Sequence, residues 1–158
     1  MQNKEQLLDE FSALISFVQS LRQLDEGKWI TPIEEGKWTT RDVIAHIMLW
    51  DKFFFEEAIE KISNSQAVSI QNLDFFEFNK TAVEYAKSKD KQEIIDMTIY
   101  YRSEILHHLR EISEVEFPVE HIGGDGKTFT IYSFLIDFIL HDTQHMNQLK
   151  SFLSKDHA

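Results

Sequence analysis

At 158 residues, 42% of them apolar and thirteen of them phenylalanine, the chain is long enough to bury a sizeable core and reads as one domain spanning 1–158. A formal net charge of −11 and a pI near 5.0 argue against nucleic-acid or anionic-membrane partners, because a phosphate surface repels such a chain and no basic patch overrides the average. The absence of cysteine removes disulfides, a thiol nucleophile and thiolate metal ligands, so any metal here must be held by imidazole and carboxylate.

Five glycines and two prolines favour long helices over many short strands. The N-terminal MQNKEQLLDEF is charged and has no signal-peptide core. The longest apolar run is broken at Asp137 and falls short of the ~20 residues that a spanning helix needs. The expectation is a soluble cytoplasmic protein with no membrane partner.

Residues 3–24 place Leu7, Phe11, Leu14, Val18 and Leu21 at three-and-four spacing, which predicts an amphipathic helix. A loop follows, marked by Gly27, Pro32 and Gly36, and it contains EGKW twice, at 26–29 and 35–38. Nothing around the copies repeats, so they read as coincidence. The second helix starts with Thr39 as N-cap and Asp42 as the carboxylate of a capping box, with Trp38 and Val43 forming the hydrophobic staple. It runs to about Ile62, with Val43, His46, Ile47, Trp50, Phe53 and Phe54 on one face.

A polar connection covers 63–72 and a shorter helix covers 73–87. A third long helix over 90–113 turns Ile94, Thr98, Tyr101, Ile105, Leu109 and Ile112 inward. EVEFPVEHIGGDGKTFT breaks helicity through Pro118 and three glycines, and a last helix runs from about Thr130 to Leu153. The fold class is therefore all-α, a four-helix bundle with a short extra crossover helix between the second and third long helices.

At 100° per residue, Phe134, Phe138, His141, His145, Leu149 and Phe152 fall within an arc of about 80°, the width of a buried stripe. Two histidines four apart on such a face are open to two readings. Each imidazole is satisfied by a neighbour in the core, or both share a cation with His46, which lies in the apolar stripe of the second helix. Of the other histidines, His107 points outward and His108 inward as a pocket or supporting group, His121 lies in a loop, and His157 lies in the tail. His121-Ile-Gly-Gly-Asp-Gly126-Lys127-Thr128 ends like a phosphate-binding loop. However, a histidine stands where the first glycine belongs, and no repeated strand–helix pattern surrounds it, so it reads as a Gly-rich turn.

Lys37-Trp38-Thr-Thr-Arg-Asp42-Val-Ile-Ala-His46-Ile-Met-Leu-Trp50, followed by His141-Asp-Thr-Gln-His145, resembles the DinB-like superfamily, and more narrowly its ClbS/DfsB branch of four-helix-bundle proteins. The likeness covers nearly the whole chain, including the short helix near Asn79 and the Gly-rich turn. It implies one divalent metal ion, zinc or nickel, held by His46, His141 and His145, and it allows a homodimer, although no exposed apolar helix face is legible. The superfamily includes thiol-dependent S-transferases, a maleylpyruvate isomerase and a cyclopropane hydrolase, so no substrate carries over.

Three neutral imidazoles would leave an open coordination position, a catalytic more than a structural arrangement, and such an ion brings the pKa of bound water to about 7. Asp137, one turn before His141, is the candidate general base; its alternative is an ordinary carboxylate facing solvent or a neighbouring helix. Asp142 and Gln144 are placed to orient the imidazoles, and Trp50 to wall the pocket or simply to fill the core. The leading expectation is a metal-dependent hydrolase acting on a small electrophilic or toxic molecule. The alternatives are a metal-dependent S-transferase using a low-molecular-weight thiol, and a non-catalytic metal- or ligand-binding bundle.

Overall fold

The computed structural model describes residues 2–155; His157 lies outside that range. Helix α1 (Lys4–Ser20) opens on a capping box between Asn3 and Gln6 and buries Leu7, Leu8, Phe11, Leu14 and Val18. Its end tightens into a 3₁₀ turn, Leu21–Gln23. The two EGKW copies then do different things. The first is a helical turn, α2 (Glu26–Trp29), capped by Asp25, and it buries Trp29. The second turns at Gly36, whose φ of 76° suits a residue without Cβ, and returns the chain to a bridge between Pro32 and Thr39.

Helix α3 (Thr40–Phe54) begins at the expected Thr39–Asp42 capping box. It passes through a π-helical turn, Phe55–Ile59, into α4 (Glu60–Ser63). One buried face was expected, yet every residue from Asp42 to Met48 is buried. The reason is position: α2, α5, α6 and α7 all pack against this helix.

The 63–72 connection is less polar in its role than in its composition, because Val68 and Ile70 are buried. Helix α5 (Phe75–Lys87) is capped by Asp74, and α6 (Lys91–Glu111) by Asp90. A 3₁₀ turn, Glu114–Glu116, leads to a small hairpin of β1 (His121–Ile122) and β2 (Thr128–Phe129), paired antiparallel. The Gly-rich stretch is the hairpin's turn. Its amides are spent locally, Gly123 donating to the Lys127 carbonyl, Gly126 to Gly123 and Asp125 to Ile70. Strand β2 separates the turn from α7 (Ile131–Ser154), which is capped by Thr130. No phosphate cradle forms there.

The four long helices close on two apolar clusters. One gathers Phe11, Phe55, Ile59, Ile105, Leu109, Phe117, Phe134 and Leu135; the other gathers Val18, Trp29, Val43, Ile47, Ile94, Ile95, Met146 and Leu149. Between them, on α3, α6 and α7 alike, the chain places a buried charged residue: Asp51, Arg102 and Asp142. Opposite this interior, α7 exposes Ile136 and Leu140, a small apolar face that the sequence reading did not find. Among the described residues, no helix is long and apolar enough to cross a membrane.

Candidate metal centre

Helix α3 carries His46 and α7 carries His141 and His145, and the packing of these helices brings the three rings together. One ring nitrogen from each lies within 4.8 Å of the other two. Ring centroids are 5.3 Å apart for His46 and His141, 5.4 Å for His46 and His145, and 4.6 Å for His141 and His145. His46 is buried, and the α7 pair is half-buried.

The α7 stripe is correspondingly rotated from the expected one. Its buried residues are Ile131, Phe134, Leu135, Asp142, Met146 and Leu149, so Phe134 and Leu149 keep their expected places while Phe138, Phe152 and both histidines lie half-buried on the flank. Asp142 turns inward because a cation waits for it there, and that rotation leaves the imidazoles at the wall of a cleft.

The hydrogen bonds assign the protons. Nδ1 of His46 faces Oδ1 of Asn79 at 2.9 Å, and Nδ1 of His141 faces Oδ1 of Asp142 at 3.2 Å. Both partners are acceptors, so each Nδ1 carries the proton and each Nε2 presents a lone pair. Those two Nε2 atoms face each other at 3.3 Å. With both protons on the far side of the rings, two lone pairs confront one another, an arrangement that a shared cation relieves. A tetrahedral zinc site with Zn–N of ~2.0–2.1 Å has N···N edges of about 3.4 Å, so the separation suits a metal.

Electrostatics favour the neutral form of two of the imidazoles, His46 and His145. Burial, reinforced by His141 and then His145, lowers the His46 pKa to about 3. Burial and His141 also lower that of His145. Behind His141 lies a carboxylate–guanidinium network. Arg102 donates from Nε and Nη2 to Asp51 at 2.7 and 2.9 Å, from Nη2 to Asp142 at 2.8 Å, and from Nη1 to the Phe11 carbonyl at 2.8 Å. The guanidinium also lies 3.8 Å over the Phe11 ring.

Burial opposes the charge on Asp142, but Arg102 and His141 outweigh it and hold the carboxyl below its usual range. Burial pushes Asp51 up to about 6 against the pull of Arg102. With both carboxylates ionised the network is net negative, and it supports His141 as carboxylates behind metal-bound histidines do.

Among the sequence candidates, His46, His141, His145, Asp142 and Trp50 converge. Trp50 stacks on Phe78 and on Phe54 with ring centroids 4.1 and 5.7 Å apart, and forms a T-shaped pair with His46 at a centroid separation of 6.4 Å. Asp137 is exposed, but it lines the same hollow as His141. Gln144 faces solvent and orients neither imidazole. His108 is half-buried, bonded to the Glu104 carbonyl and set edge-on to Phe55, so it stands outside the trio. His107 is exposed as expected.

Sequence reasoning missed Asn79, Asp51 and Arg102. The last two carried a signal, because Arg102 shares the inward arc of α6 with Thr98, Ile105 and Leu109, and Asp51 that of α3 with Ile47. Charged residues on buried arcs call for partners.

The sequence profile of the DinB superfamily matches residues 6–149. No curated protein matches the chain by sequence. Three solved structures share its fold. YfiT from Bacillus subtilis, described as a probable metal-dependent hydrolase with an unusual four-helix bundle topology, aligns with a TM-score of 0.73 at 18% identity, covering 94% of this chain and 85% of that one. An uncharacterized protein from Clostridium difficile 630 aligns at 0.76 and 14% identity over 96% of both chains. A mycothiol-dependent maleylpyruvate isomerase aligns at 0.73 and 16% identity, covering 94% of this chain and 63% of that one.

Proposed function

From the premise that this chain belongs to the DinB superfamily, we propose that it is a metal-dependent hydrolase acting on a small electrophilic or toxic molecule. In this reading His46, His141 and His145 hold one divalent cation, zinc or nickel, and the chain falls in the ClbS/DfsB branch. The observation that carries it is the pair of Nε2 atoms facing at 3.3 Å while each Nδ1 is committed to an acceptor.

A bound cation would supply Lewis acidity and an open coordination position beside the cleft. The chain's own residues do the rest. Asn79 and Asp142 hold two imidazoles in the tautomer that leaves Nε2 free, and Arg102 fixes Asp142. Trp50, Phe54 and Phe138 form an apolar wall beside His141. Asp137, in that hollow one turn before His141, is the carboxylate placed to take a proton from a reacting water.

The rival within the enzyme class is a metal-dependent S-transferase, which would recruit a low-molecular-weight thiol because the chain has none of its own. Thiol dependence is a property of the maleylpyruvate isomerase that shares this fold. A non-catalytic bundle is the third reading. We take a homodimer as the assembly, to be read by light scattering.

Metal analysis of untagged protein beside His141→Ala tests the core of the proposal. About one ion per chain, lost in the variant, supports it. No metal in either, even after reloading with zinc or nickel, dismisses it. Turnover of electrophiles with and without added thiol then separates hydrolase from transferase.

A further inference from the structure

Two hollows flank the same wall of rings. One, of about 370 Å³, lies between Trp50, Phe54, Phe75, Phe138, Asp137 and His141. The other, of about 260 Å³, is bounded by the same Trp50, Phe54 and Phe75 together with the 70–73 connection and the hairpin. The first is the one that reaches an imidazole of the trio and Asp137 together, so a molecule meeting the metal centre from this side meets ring faces first.

Trp50 is buried and Phe54 and Phe138 pack on the core, but Phe75 is not part of that closed packing. Phe75 is 64% exposed at the first position of α5, although its ring centroid lies 5.7 Å from that of Trp50. Phe138 is half-buried and 5.4 Å from the His141 ring. A large aromatic left exposed beside a ligand-sized hollow is a surface awaiting a partner. Flat rings reward flat partners, since offset stacking and edge contacts both need a π-face.

We infer that the hollow bounded by Trp50, Phe75 and Phe138 is the substrate subsite and that it takes a flat aromatic or conjugated small molecule, with its reacting group toward His141. This rests on the metal-centre reading for the identity of the reacting end. It names what that reading left open, the class of the rest of the substrate. Phe75 acts here as a specificity residue: it grips the flat portion and touches no metal ligand.

The test uses the full chain and the neutral fluorescent probe N-phenyl-1-naphthylamine, with zinc titrated calorimetrically into the same preparation. Saturable one-to-one dye binding is expected. Phe75→Ala is expected to weaken it about fivefold at an unchanged melting temperature, because the ring is largely exposed. Tyr100→Ser, a control at another exposed aromatic, is expected to leave it unchanged. Benzyl alcohol is expected to displace the dye at about a threefold lower concentration than cyclohexylmethanol, its saturated counterpart.

Absence of saturable binding, indifference to Phe75→Ala, or equal displacement by the two alcohols would overturn the subsite. Zinc bound without dye removes this inference and leaves the metal centre standing. Dye bound without zinc removes the metal centre, and with it the assignment of the hollow to a reacting substrate.

Discussion

Asp142 accepts a hydrogen bond from Nδ1 of His141, the residue immediately before it on α7, at 3.2 Å through one oxygen, while Arg102 holds the other oxygen at 2.8 Å. Neighbours along a helix point about 100° apart, so this pair spans the boundary between core and cleft. Asp142 is anchored inside and His141 opens outward. The carboxylate thereby sets both the tautomer and the orientation of an imidazole on the cleft wall.

Asp142→Asn keeps the shape but weakens the acceptor that fixes that tautomer. Zinc affinity is expected to fall about 10–100-fold, measured by competition with a chelating dye. Because Arg102 retains its two bonds to Asp51, the variant is expected to fold. Undiminished affinity would show that His141 is oriented by packing alone.

Arg102→Met strands two carboxylates in the interior. Its cost is expected to be about 3–5 kcal/mol in urea unfolding at pH 7. Removing the guanidinium raises the folded-state pKa of Asp51 and Asp142, so the folded chain takes up protons that the unfolded chain does not. The variant is therefore expected to regain stability as pH falls from 7 toward 5. A deficit independent of pH would refute the electrostatic account.

His46 makes the opposite pH signature in metal-free protein. Its pKa is depressed from 6.5 to about 3, so the unfolded chain binds the extra proton between those values. The stability concerned is fully present above 6.5 and is lost as pH falls toward about 3. Relative to His46→Gln, which removes the titration and leaves Asp51 unchanged, the wild type is expected to lose about 1.4 kcal/mol per pH unit below 6.5. Parallel stability curves for the two proteins would contradict this.

Asn79→Leu removes the acceptor opposite Nδ1 of His46 and frees that ring to change tautomer. Zinc binding is expected to weaken about tenfold, whereas Asn79→Asp, which keeps an acceptor at the same reach, retains or improves it. If both variants bind alike, the contact at 2.9 Å contributes nothing to the site.

Removal of the ion with a chelator is expected to lower the melting temperature while circular dichroism still reports the helices, since two apolar clusters hold the bundle apart from the imidazoles. Complete unfolding on chelation would favour a structural ion over a catalytic one.

Much of this was legible in the chain itself. The helix boundary at Thr39 follows from capping chemistry, which is local and needs no partner, and the starts near Asp90 and Thr130 were legible as breaks in the helical pattern. The i, i+4 spacing of His141 and His145 follows from helix geometry, and the lack of cysteine limited the ligand types. What the tertiary structure decided was which face of each helix lies deepest. Periodicity marks an apolar arc, but it does not show that Asp51, Arg102 and Asp142 neutralise one another across three helices. That pairing rotates α7 and moves the histidines from the expected core to the edge of a cleft. Asn79 behind His46 and Phe75 beside Trp50 are likewise products of how α5 crosses α3, because contacts between residues distant in sequence are fixed only when the whole interior packs.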